Sequence, residues 1–102
     1  MNNYPKPQEY KLGTTVKIVD VISIASPSSV TITIEDPNGT KTIEDVAMTE
    51  TETTVYLYYF ESTHYSDGGL EGLYIAEITI SNGGYKSIET IEFELRRTTR
   101  NK

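Results

Sequence analysis

The sequence predicts an all-β domain, a sandwich of about seven antiparallel strands. Three observations lead there. Thr, Ile and Val supply 32 of the 102 residues, whereas Ala and Leu together supply 8. Side chains branched at Cβ are stiff at χ1 and suit a pleated surface better than a helix. Short apolar–polar alternations recur between Pro, Gly, Asn and Asp signals at the spacing of a sandwich. No segment carries a convincing helical period.

Each element can be justified in order. Residues 1–10 hold Pro5 and Pro7, which favour extended backbone and remove two donors, so they are expected to form an arm. The sandwich is expected over 11–95. In Thr14–Ala25, Val16, Ile18, Ile22 and Ile24 share one parity, with Asp20 interrupting and Val19 and Val21 on the other face. A bulge near Asp20 would switch the inward parity. Val30, Ile32 and Ile34 alternate with Thr31, Thr33 and Glu35, which means one buried and one wet face. Asp36-Pro37-Asn38-Gly39 then reads as a hairpin turn: Pro37 presets φ and Gly39 accepts positive φ. Thr40–Met48 offers Ile43, Val46 and Met48 as core contacts. Thr49–Thr54 reads as a polar connection. Val55–Phe60 is apolar or aromatic on both faces, and Glu61–Leu70 is a loop. Gly72–Ser81 places Tyr74, Ala76, Ile78 and Ile80 inward. Asn82-Gly83-Gly84 turns the chain into Tyr85–Leu95, with Ile91, Phe93 and Leu95 inward. A basic tail over 96–102 closes the chain.

Length and composition narrow the function. One small domain holds a modest core but not a core plus a deep substrate cavity. With no Cys there is no disulfide, zinc–thiolate site or thiol nucleophile. No window reaches the ~18–20 apolar residues of a membrane span. The start has no apolar stretch of the kind a secretory signal needs, although Met1 fits either a native start or a cloned fragment. The net charge is −6. Arg96, Arg97, Arg100 and Lys102 lie at the end, so residues 1–95 carry −10. Such a body repels a nucleic-acid backbone, and only the tail offers cations to one.

Leu70-Glu71-Gly72-Leu73-Tyr74-Ile75-Ala76 resembles the tyrosine corner of immunoglobulin-like domains, where a Gly precedes the Tyr by two and a disulfide Cys follows it by two. Here Ala76 stands at the Cys position and the buried Trp is missing, which departs from the antibody type. The resemblance implies that the Tyr74 hydroxyl bonds backbone and locks the strand. Ser26–Thr40, Val55–Phe60 and Gly72–Leu95, with the opening Lys11–Ile18, resemble bacterial-type immunoglobulin-like sandwiches. They cover most of the chain and imply structural roles for Pro37, Gly39, Gly72 and Tyr74. Stand-alone chains of this shape resemble small structural proteins of tailed phages and viruses, and so imply a virion component: a capsid decoration, a head–tail connector or a tail protein. Adhesin stalks share the motif. The alternative is an extracellular adhesion or carbohydrate-binding module excised from a larger surface protein.

The residues themselves offer little chemistry. Glu61-x-x-His64-x-x-Asp67 has ligand types but lies in a loop, where that spacing does not gather them. A Ser–His–Asp triad lacks any sign of an oriented His or an oxyanion hole. Asp36–Gly39 lacks the further ligands of a calcium loop. Asn38-Gly39-Thr40 is a sequon in a turn, and Gly83–Ser87 has no helix behind it to hold phosphate. No enzyme, cofactor or metal is expected. The aromatic set stands out instead: 8 Tyr, with Tyr56, Tyr58, Tyr59, Phe60 and Tyr65 close together. One parity of Val55–Phe60 must be core. The other needs a cover, and Tyr is favoured at protein contacts. The expected contact set is Tyr56, Tyr58, Phe60, Tyr65, Arg96, Arg97 and Arg100, on a non-enzymatic module bound to other structural proteins or to its own copies. The arm and the tail are expected to reach neighbouring subunits.

Overall fold

The computed structural model describes residues 7–97. Among them are eight strands: β1 (Gln8–Lys11), β2 (Thr15–Val21), β3 (Ser29–Glu35), β4 (Lys41–Ala47), β5 (Thr49–Glu52), β6 (Val55–Glu61), β7 (Gly72–Asn82) and β8 (Tyr85–Arg96). They make a five-stranded sheet, β1-β8-β7-β3-β4, and a three-stranded sheet, β2-β6-β5. The all-β expectation holds, with one more strand than expected and one parallel pair, β1 with β8.

The core lies between the two sheets, where alternation puts it. Val30, Ile32 and Ile34 of β3 and Tyr74, Ala76, Ile78 and Ile80 of β7 are buried as expected. They meet Val16 and Ile18 of β2 and Tyr56 and Phe60 of β6. Each such aliphatic side chain contributes roughly 1.5–3 kcal/mol when fully buried. At one end four aromatics tie both sheets together. Tyr74 stacks on Phe93 with centroids 5.6 Å apart, Phe60 lies 6.0 Å from Phe93, and Tyr10 meets Phe93 edge-on at 6.2 Å. This cluster adjoins Ala76, the position that a disulfide would occupy in the resembling domains.

The turn chemistry is as the sequence predicts. Gly39 has φ +83°, and its N–H donates to Asp36 O at 2.9 Å. The Asp36 carboxylate accepts from the N–H groups of Asn38 and Thr40, both at 2.9 Å. The Tyr74 hydroxyl donates to Leu70 O at 2.8 Å. Gly72 adopts φ +137°, and a Cβ there would lie 2.9 Å from Pro37 Cγ. Pro37 and Gly72 therefore pack the first hairpin turn onto the start of β7.

Five expectations need correction. Residues 8–10 of the expected arm belong to a strand, because Gln8–Lys11 pairs with the edge of β8 and Tyr10 gains aromatic contact, and residues 1–6 of that arm lie outside the described residues. Thr49–Glu52 is a strand, since Thr49, Glu50 and Glu52 pair with Leu57, Tyr56 and Val55 of β6 across a turn at Thr54, φ +67°. Val46 opposes buried Ile32 but stays largely exposed on the edge strand β4, while Ile43 packs against the core and Met48 is buried. Arg96 belongs to β8 and not to the expected tail, of which residues 98–102 lie outside the described residues. No bulge interrupts β2: its register with β6 is unbroken from Thr15–Glu61 to Val21–Val55. Asp20 therefore keeps the inward parity, and Val19 and Val21 point out.

Candidate functional site

The unbroken register of β2 decides which face of β6 is free. Asp20 opposes Tyr56, Ile18 opposes Tyr58 and Val16 opposes Phe60, all in inward rows. Tyr56 is 8% exposed, Phe60 is 5% exposed, and Tyr58 packs against the core. Tyr56 and Phe60 are thereby closed off from a contact surface in the folded domain, and Tyr58, half-buried, lies in the same inward row. Burial, aided by the Glu50 charge, also pushes the Tyr56 phenol above its ordinary value, as expected for a ring held away from water.

The outward row makes the surface. Val21 opposes Val55, Val19 opposes Leu57 and Lys17 opposes Tyr59. Val19, Val21 and Tyr59 are 43%, 66% and 53% exposed, while Val55 and Leu57 are half-buried. Cross-strand neighbours of this kind touch, so the row is one apolar ladder and not scattered residues. It lies on β2, an edge of the three-stranded sheet. Beside that edge runs a groove of about 270 Å³, with Val16–Val19 on one wall and Gln8, Tyr10, Ile91 and Phe93 on the other.

The remaining expected contacts fall elsewhere. Tyr65 sits on a 3-10 turn, Tyr65–Asp67, and the Arg97 guanidinium lies 4.2 Å above its ring. The Arg97 N–H donates to Glu71 Oε2 at 2.6 Å. Arg96 pairs with Glu94, Nη2 to Oε1 3.0 Å, and that partner holds its guanidinium pKa above the usual value. These two cations thus serve intramolecular bonds, and Arg100 lies outside the described residues. Tyr65 and Arg97 do come together, on the loop end of the sandwich, apart from the apolar ladder.

The loop with metal-ligand residue types is built for structure. His64 Nδ1 caps the 3-10 turn by accepting from Ser66 N–H at 3.1 Å. Its ring packs against Gly13, where a Cβ would lie 2.8 Å away. Glu61 accepts from the Thr15 hydroxyl at 2.7 Å. Among the described residues no three His, Asp or Glu side chains converge on a point.

No known family model matches the chain, and neither a curated protein nor a solved structure is significantly similar to it.

Proposed function

We propose that this chain is a non-enzymatic structural module that docks through the outer face of β2 and β6 onto another subunit of an assembly. The observation that carries this is the ladder Val19, Val21, Val55, Leu57 and Tyr59, which is exposed on an acidic body. Contiguous exposed apolar surface is a feature of interaction sites. The acidic charge of residues 1–95 disfavours a second copy as occupant, so a different protein with an apolar contact is the partner.

The strand order gives the setting some support. β1-β8-β7-β3-β4 over β2-β6-β5, with a tyrosine bonded four residues back, follows the immunoglobulin-like arrangement in which one sheet is extended by an extra edge strand. With the resemblance of Ser26–Thr40 and Gly72–Leu95, this favours a small virion protein of a tailed phage or virus.

A photo-cross-linking residue in place of Tyr59 tests the docking face in cells that make the assembly. One dominant cross-link to another structural subunit is expected, lost on Val21→Lys. The same probe in place of Tyr85, which is 79% exposed on the other sheet, serves as control. Equal cross-linking from both positions would overturn the proposal.

A further inference from the structure

Asp20 is the one charged residue in the inward row of β2, between Ile18 and Ile22. Glu89 holds the corresponding place on β8, continuing the row Leu95, Phe93, Ile91. Ile18 of β2 and Ile91 of β8 both line the groove, and the next inward positions of these two rows are Asp20 and Glu89, which brings them to the same end of it as neighbours. Asp20 Oδ2 is buried, and among the described residues no backbone amide, hydroxyl or cationic side chain donates to it. Two ionised carboxylates can only accept, and a buried acceptor without a donor is costly.

We infer that Asp20 and Glu89 hold one proton between them, so that Glu89 donates to Asp20 and ties β2 to β8 until that proton is lost. Among the described residues no cation pairs with either carboxyl. On β6, Tyr56 faces Asp20, with Glu50 of β5 behind it. On β7, Ile78 opposes Glu89. On β8, Lys86 takes the outward parity, opposite that of Glu89. Among the described residues the ion pairs are Lys41–Glu44 and Arg96–Glu94, and neither involves this pair. In agreement, the hydrogen bond to Asp20, then burial, then the Asp20 charge push the Glu89 carboxyl up to about 7.

The sign follows from linkage. Glu89 holds its proton more tightly folded than unfolded, so its contribution to stability is complete below its unfolded value. That contribution fades as pH rises through about 7. Above neutrality the like charges push β2, the strand that carries the apolar ladder, away from β8.

The direct test is a carbon-13 NMR titration of the Glu89 side-chain carboxyl in the intact protein. A midpoint near 7, falling toward the ordinary range in Asp20→Asn, is expected. A midpoint near the ordinary ~4.3 in the unaltered chain would overturn the inference. Melting curves provide a second readout. Glu89→Gln keeps the donor at every pH, so its Tm should match the parent at pH ~5 and exceed it at pH ~8.5, on either side of the titration. A Tm difference that stays flat with pH would also overturn it.

Discussion

Tyr74 shows how much a single hydroxyl can be asked to do. Its ring stacks on Phe93 while its O–H reaches Leu70 O, so one side chain fills the core and fastens the loop before its own strand. Tyr74→Phe keeps the stack and removes the bond. The expected loss is about 1 kcal/mol, read as a Tm lower by about 4–8 °C. Gly72 is constrained twice, by φ +137° and by Pro37. Gly72→Ala should cost about 1–3 kcal/mol in a denaturant melt. An unchanged midpoint would mean that the turn and β7 are not packed together. Ala76 completes the set: a small residue where a disulfide would stand, with aromatic contact beside it.

At the scale of elements, β6 carries the sharpest prediction because its two rows have opposite fates. Phe60→Ala should lose about 3–5 kcal/mol, whereas Tyr59→Ala should stay within about 0.5 kcal/mol. Equal losses would put the strand in the wrong register. The sequence made β3 legible because apolar and polar residues alternate in it without conflict, and the inward rows Tyr74–Ile80 of β7 and Ile91–Leu95 of β8 were apolar enough to read. It could not settle β6, where both rows are greasy, nor β2, where Asp20 occupies an apolar parity. The bulge was the simplest way to keep a carboxylate out of the core. The fold leaves Asp20 inside, facing Glu89, on an edge strand where an inward charge also discourages edge-to-edge pairing. The partner lay 69 positions away, and no local pattern announces such a pair. β5 was missed for a related reason: Thr-Glu-Thr-Glu alternates, but neither parity is apolar, and only pairing with β6 makes it a strand.

For the whole molecule, the two sheets divide the labour. The five-stranded sheet carries the turn motifs, the tyrosine corner and most of the core. The three-stranded sheet leaves β2 unpaired on one side and exposes an apolar ladder. The Arg96 guanidinium, expected to reach a partner, pairs with Glu94 of its own chain, and that of Arg97 lies over the Tyr65 ring. The docking face we propose is on the small sheet. The most direct test is amide hydrogen exchange, comparing the isolated protein with the same protein in its assembly. Slower exchange over Val16–Val21 and Val55–Tyr59 on assembly is predicted. Unchanged exchange there, with new protection confined to the Tyr65–Glu71 loop, would contradict a docking role for the outer face of β2 and β6.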